Sequence, residues 1–262
     1  MLTAKERSVT IYLFKRALVQ LLYIIFWMIV GFVLVPAAIS LINSNPLDLK
    51  GLLRNTHVGQ MLFFLISLLA LFGYRDFKLL NQNGISRKTY WKARLLAYFG
   101  ISTLGQIVGI LFTLLVPFQD SWNRSSIYME MYGKFFANPL LNILAALAFI
   151  ILAAYVVALG GIFVGSIFTL FTRKQRVLIF VALATLNVVG VSFIASSASQ
   201  DSFTGLARSI LKLIYFLVGD ASRNATLGSF DPTVPFIVIL LAGIVFCYGS
   251  RIVIAHFKLK SE

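Results

Sequence analysis

The side chains that could do covalent or metal chemistry are few and widely spaced in this sequence. It contains nine carboxylates, two histidines (His57 and His256) and a single cysteine, Cys247. The histidines lie far apart, and no paired-histidine spacing typical of zinc sites occurs. A lone cysteine within an apolar block is usually a small hydrophobic residue. We therefore predict a protein that is not an enzyme and that has no metal or other cofactor.

One short segment resembles part of a nucleotide-binding motif. Lys88-Thr89 matches the end of a phosphate-binding loop, but Gln82 and Arg87 stand where that loop requires glycines. Without those glycines the backbone cannot approach the phosphates. The chain by itself is therefore not expected to bind ATP.

The composition indicates a membrane protein. Of 262 residues, 59% are hydrophobic and 12% are charged, whereas soluble domains have about 25% charged residues. The apolar residues form long blocks, several of which reach the roughly 20 residues that a helix needs to cross a bilayer. The fold class predicted is all-α, with a single polytopic membrane domain over residues 1–262.

We predict six transmembrane helices. They cover residues 18–42, 57–74, 95–118, 139–171, 177–198 and 235–255. Pro36 is expected to kink the first span. The fourth block is longer than a bilayer requires, so it is either tilted or interrupted near Gly160-Gly161.

Two amphipathic segments accompany these spans. Residues 4–16 form either a helix lying in the membrane interface or an ordinary positive flank of the first span. Residues 204–219 have apolar side chains at helical spacing but also carry Arg208 and Lys212, which makes them a poor spanning helix. An interfacial or re-entrant helix before the sixth span is expected there.

The distribution of positive charge predicts the orientation. With six spans, the side that holds both termini carries 16 of the 23 Lys and Arg residues, and the opposite side carries seven. Because positive loops stay in the cytoplasm, both termini are predicted to be cytoplasmic, in a cell membrane. The same rule explains the net charge of +14 without a nucleic-acid partner.

The acids are expected to lie outside the spans. By the predicted topology, all nine are in loops or tails: Glu6, Asp48, Asp76, Asp120, Glu130, Asp201, Asp220, Asp231 and Glu262. Ion-coupled carriers usually need a carboxylate at mid-membrane depth. Its absence argues against a secondary transporter.

Small residues recur at the spacing of close helix contacts. Gly105 and Gly109 lie in the third span, and Gly161 and Gly165 lie in the fourth. Such pairs let helices approach closely, either within the chain or across a dimer seam. Three polar residues in the spans could line a path or form hydrogen bonds between helices: Gln106, Asn142 and Asn187.

The most distinctive polar stretch is residues 73–95, GYRDFKLLNQNGISRKTYWKARL. Asn83-Gly84 predicts a sharp turn, and Ser86 is a candidate cap for a second basic helix. The stretch also carries three aromatic residues, Phe77, Tyr90 and Trp91. Exposed aromatics beside arginine are typical of protein contacts. The alternative is a basic loop that lies on anionic headgroups.

This stretch resembles the cytoplasmic loop of type-2 ATP-binding-cassette (ABC) exporter permeases. The residues that carry the resemblance are Gly84, Ser86, Arg87 and Lys88 in the turn, with Tyr90 and Lys92 in the following helix. The resemblance implies a permease subunit that pairs with an identical or related permease chain in the lipid bilayer. It also implies separate ATPase subunits that dock on Gly84, Ser86, Arg87, Lys88 and the three aromatics.

The resemblance leaves the substrate open, with an amphipathic peptide or a lipid-like molecule as the expected class. Two alternatives remain. One is the membrane coupling subunit of a vitamin-type ABC importer, although the Ala-Arg-Gly signature of those subunits is missing. The other is a membrane scaffold or immunity protein without transport activity.

Overall fold

The computed structural model describes residues 3–42, 58–115, 127–172, 174–179, 181–182, 185, 205–219 and 230–257. All regular secondary structure within these ranges is helical. The helices are α1 (Ala4–Ile29), α2 (Val35–Ile42), α3 (Val58–Leu71), α4 (Tyr74–Gln82), α5 (Arg87–Leu115), α6 (Ile127–Tyr132), α7 (Pro139–Leu170), α8 (Gly205–Val218) and α9 (Thr233–Ala255). The predicted all-α fold class is confirmed for these residues.

Four of these helices, α1, α5, α7 and α9, are long and apolar enough to cross a membrane. A fifth span results if α3 and α4 are counted together as one span bent by 48°. The fifth predicted span, 177–198, lies mostly outside the described residues. The structure thus supports a multi-pass membrane protein with four or five candidate spans, and the count of six stays a prediction.

The N-terminal segment is one continuous helix. α1 runs without a break from Ala4 to Ile29, so the prediction of a separate interfacial helix at 4–16 is wrong. The Thr3 hydroxyl accepts from the Glu6 backbone N–H, and the Glu6 carboxylate accepts from that of Thr3. This reciprocal cap starts the helix, and neither Gly nor Pro interrupts it before residue 30.

A π-helical turn, Val30–Leu34, joins α1 to α2. The backbone N–H of Val35 bonds to the Val30 carbonyl, five residues earlier. Pro36 follows at once; it has no N–H to donate, and its ring crowds the preceding turn. A widened turn is a common way for a helix to accommodate such a residue. Pro36 was predicted to kink the first span, and the structure has a π-helical turn just before it.

Glycines of α5 and α7 lie close against α3, on two sides of it. A Cβ added to Gly105 or Gly109 of α5 would lie 2.5 Å from Ile66 Cδ1 or Gly59 Cα, respectively. On α7, a Cβ at Gly161 would meet the Ser67 carbonyl oxygen, and one at Gly165 would meet that of Leu71. The four glycines thus serve packing within the chain, where their lack of side chains lets α3 lie close to α5 and α7.

α7 is a single helix of 32 residues. It continues through Gly160-Gly161, so an interruption there is excluded. The Asn138 side chain caps its start by accepting from the Leu140 N–H at 2.9 Å. Buried Asn142 bonds to both the N–H and the carbonyl of Phe136, which fixes the chain that enters the helix.

Aromatic side chains pack together at the end of the bundle where α7 begins. Tyr128 and Tyr132 of α6 pack against Phe149 of α7, with ring centroids 5.3 and 6.0 Å from that ring. The Tyr132 hydroxyl donates to the carbonyl of Val218 at 2.7 Å. The predicted amphipathic helix at 204–219 is present as α8, and this hydrogen bond attaches its end to α6.

Candidate functional site

The predicted turn in the stretch 73–95 is present. α4 ends at Gln82, and Gly84 adopts φ 72°, a conformation that favours glycine. The Ile85 N–H reaches back to the Leu80 carbonyl at 3.0 Å and closes the end of α4. The Ser86 hydroxyl accepts from the Thr89 N–H at 3.1 Å. Both the turn and the Ser86 cap are therefore confirmed.

The second basic helix is not a separate element. α5 begins at Arg87 and continues without a break to Leu115. The third predicted span and the helix after the turn are thus one rod, because no Gly or Pro occurs between Arg87 and Phe99. α1 is built in the same way. At this end of the bundle, basic segments are therefore direct extensions of apolar helices.

The aromatic residues of the stretch form a core. Phe77 and Tyr90 are each 1% exposed, so the prediction that they are exposed contact residues is wrong. Their rings lie 5.4 Å apart, and Phe257, beyond the end of α9, lies 4.9 Å from Phe77. Val9 of α1 packs into the same cluster. These aromatics thus hold four helices together instead of meeting a partner.

We call this cluster and its surroundings the basic end: residues 4–16, 74–94 and 250–257. Three polar contacts attach α1 to the rest of it. Lys5 Nζ donates to the Gly84 carbonyl at 2.8 Å. The other two are ion pairs, Lys92 with Glu6 at 3.0 Å and Arg16 with Asp76.

Asp76 lies in the polar helix α4, outside the apolar α3. Burial raises the pKa of its carboxyl, while the positive charges of Arg16, Arg94 and Arg75 oppose that rise. Glu6 and Asp76 were both predicted to lie in loops or tails. They are instead helical residues paired with cations, because the polar segments that carry them extend the helices.

The last helix is also joined to the stretch. Arg87 Nη1 donates to the Ala255 carbonyl at 2.7 Å, where α9 ends and its carbonyls lack helical partners. Trp91 Nε1 donates to Ser250 Oγ at 3.1 Å. The Arg251 guanidinium lies 5.6 Å from the centroid of the Trp91 ring, within range of a cation–π contact. Arg87 and Trp91 are thus both committed to contacts with α9.

The break between α3 and α4 has its own set of donors. The Tyr98 hydroxyl donates to the Leu69 carbonyl at 2.9 Å, and the Tyr90 hydroxyl donates to Gly73 at 2.7 Å. Between them, Arg94 Nη2 donates to Ala70 at 2.6 Å. The carbonyls of Leu69 and Gly73 also accept from the backbone N–H groups of Phe72 and Phe77, so the side-chain donors supplement the backbone hydrogen bonds at the break. Here all three side-chain donors come from one face of α5.

Arg94 and Tyr98 were not predicted as site residues. Arg94 was counted among the positive charges of a cytoplasmic loop, yet it is 2% exposed. Its guanidinium carbon lies 5.9 Å from the ring centroids of both Tyr90 and Tyr98. The signal that could have found them is their spacing, because residues 90, 94 and 98 share one face of a helix.

The predicted site residues therefore divide into two groups. Phe77 and Tyr90 are buried, and Trp91 is partly buried against α9. The exposed members surround the turn: Gly84, Ser86, Arg87 and Lys88. Lys88 makes no hydrogen bond or ion pair with any residue that the structure describes. It is the cation of the turn most available to a partner.

Within the described ranges, no group of three or more His, Cys, Asp or Glu side chains could hold a metal ion. Comparisons with protein families, with curated proteins and with solved structures find no match for this chain. The function is therefore argued from the geometry of the basic end.

Proposed function

We propose that this chain is the permease subunit of an ABC exporter, and that separate ATPase subunits dock at the turn 83–88. ATP hydrolysed by those subunits drives the transport. The observation that carries the proposal is the position of the turn, at the far end of polar extensions of helices long enough to span a membrane. Two further features support it, namely the rigid attachment of the turn and its uncompensated positive charge.

The distance of the turn from the apolar part of the bundle favours a soluble partner over lipid headgroups. The last charged residue of α1 is Arg16, and Lys5, which bonds to Gly84, lies twelve residues before Ala17. At 1.5 Å per residue this is about 18 Å along the helix axis. A headgroup layer is only about 5–8 Å thick on each side. Even in a tilted helix, this distance exceeds the thickness of that layer.

The attachment of the turn suits the transmission of a mechanical displacement. Lys5 connects it to α1, and Arg87 connects it to the end of α9. The cluster around Phe77 and Tyr90 fills the space beneath. A well-packed core of this kind resists deformation. A displacement of the turn would thus move the ends of several helices together.

The charge of the basic end favours an acidic docking surface. Among its described residues, the two carboxylates, Glu6 and Asp76, are taken up by internal ion pairs. Exposed cations such as Lys88 and Arg7 have no such neutralising partner there. Complementary negative charge on the ATPase would speed association and select the correct partner.

The remaining parts of the proposal follow from the resemblance of the turn to exporter permeases. Two permease chains, identical or related, would face each other in the cytoplasmic membrane with both termini in the cytoplasm. An amphipathic peptide or lipid-like substrate would move between them. A membrane scaffold that binds an acidic partner without transport is the second candidate, because the cationic turn alone fits both.

The test is co-purification of the full-length chain with the ABC ATPase encoded nearest to its gene. Lys88→Glu should weaken the complex by about tenfold, equivalent to about 1.4 kcal/mol. Lys15→Glu is the matched control, since Lys15 is also exposed but lies next to the apolar part of α1. Equal retention of the ATPase by Lys88→Glu and the unchanged chain would contradict docking at the turn. Tyr90→Ala is a poor probe because it removes core.

Transport and scaffold functions differ in a second measurement. In a coupled transporter, the reconstituted permease should change the ATP hydrolysis rate of the bound ATPase, and Lys88→Glu should reduce that change. An ATPase that binds with an unaltered hydrolysis rate would favour the scaffold.

A further inference from the structure

The break between α3 and α4 lacks an adequate cause in its own sequence. Leu71-Phe72-Gly73-Tyr74 contains no proline, and a single glycine weakens a helix without ending it. Sharp bends need a proline, a π turn or an inserted group. The inserted groups here are the side chains of α5 that bond to the carbonyls of residues 69, 70 and 73.

Arg94 is the central member of this set. Its guanidinium lies over Gly73, where any added Cβ would overlap it. The glycine therefore permits the guanidinium to reach the Ala70 carbonyl. Tyr90 and Tyr98 lie on either side along α5, and both rings are close to the guanidinium. A buried arginine held by a carbonyl and two ring faces is a strong but reversible attachment.

We infer that Tyr90, Arg94 and Tyr98 form a latch that keeps the span broken, and that Gly73 is a joint about which α4 turns when the latch opens. With the latch open, the backbone N–H of Gly73 can bond to the Leu69 carbonyl, four residues earlier, as in a straight helix. The two arrangements exchange one set of hydrogen bonds for another. This is a requirement for a two-state element. The inference concerns this chain alone and does not depend on an ATPase partner.

The test measures the distance between α4 and a reference helix. Leu79 of α4 and Leu170 of α7 are both exposed. Each is replaced by cysteine in a Cys247→Ala background of the full-length chain in lipid nanodiscs, and spin labels are attached. With the latch intact, pulsed electron paramagnetic resonance should give a distribution of distances between the two labels with one narrow peak.

Arg94→Met removes the donors but keeps a long side chain, and it should add a second peak or shift the first by several ångströms. Arg94→Lys, which retains a donor, should restore a single peak. The matched control is Arg75→Met, because Arg75 is an exposed arginine of α4 itself, and it should leave the distribution unchanged. A second pair of labels, at Leu140 and Tyr248, reports general loosening and should not respond to Arg94→Met.

Two results would overturn the latch. One is an unchanged single peak in Arg94→Met. The other is an equal response of both label pairs, which would mean that Arg94 only stabilises the fold. If Arg94→Met does not give a monodisperse protein, Gly73→Ala serves instead, since its Cβ displaces the guanidinium. A single unshifted peak in Gly73→Ala would then refute the inference.

Discussion

Phe257 offers the sharpest test of the basic end as a packed unit. It lies beyond the end of α9 and is 2% exposed. Its ring contacts Phe77 at 4.9 Å and Tyr74 at 6.0 Å, both edge to face. Because the basic end carries many charged residues, we expect it to face water, where burial of apolar side chains stabilises it as it would a soluble core.

The expected cost of Phe257→Ala follows from these contacts. Loss of a buried phenylalanine costs about 3–5 kcal/mol in soluble cores, and that range includes the aromatic pairs. Phe257 lies beyond the end of α9, where its surroundings can partly collapse, so the lower end of the range applies. We expect the free energy of unfolding of the basic end to fall by about 3 kcal/mol.

The assay is urea unfolding in detergent, followed through the fluorescence of Trp91 after Trp27 and Trp122 are replaced by phenylalanine. Trp91 reports on the basic end because it bonds to Ser250 of α9. Phe64→Ala is the matched control, since Phe64 is 61% exposed on α3. A loss below about 1 kcal/mol for Phe257→Ala, or an equal loss in the control, would show that the aromatic cluster does not hold the basic end together.

Three further substitutions test other contacts. Gly165→Val should prevent α7 from approaching α3 and abolish the monodisperse gel-filtration peak. Gly31 has open space around it, so Gly31→Val should keep a monodisperse peak. A monodisperse peak from both variants would contradict the close approach of α7 to α3. The Gln106 amide nitrogen is buried without an acceptor among the described residues. Gln106→Leu should therefore leave the free energy of unfolding in detergent unchanged or raise it by about 1 kcal/mol. A clear fall in that free energy would contradict the assignment. Glu6→Gln keeps the cap but loses the charge opposite Lys92, so the midpoint of urea unfolding should fall slightly. An unchanged midpoint would contradict a stabilising ion pair.

Local signals in the sequence were sufficient for the helical class and for the turn. Long apolar blocks predict spans, and Asn83-Gly84 with Ser86 predicts a helix end and a new start. These features depend on a few adjacent residues and on backbone conformation. The four glycines could also be identified from their spacing, although the sequence does not reveal that all of them face α3.

The contacts of the aromatic residues could not be predicted in the same way. Phe77, Tyr90 and Phe257 are separated by up to 180 residues, and only the fold brings them together. Aromatics among basic residues fit an exposed contact surface equally well by composition. The continuity of α1 through Arg16 was likewise obscured, because a change from polar to apolar composition resembles a boundary between two helices.

The uninterrupted course of α1 gives it the properties of a lever. If α1 pivots at the ion pair between Arg16 and Asp76, it has two arms. The arm from Ala17 to Ile29 and the arm toward Lys5 are each about 18 Å long. With arms of equal length, a sideways push of roughly 3 Å near Gly84 would appear as an opposite movement of similar size near Ile29. The π turn, Val30–Leu34, begins where that arm ends, so the change in helical winding lies at the point of largest displacement.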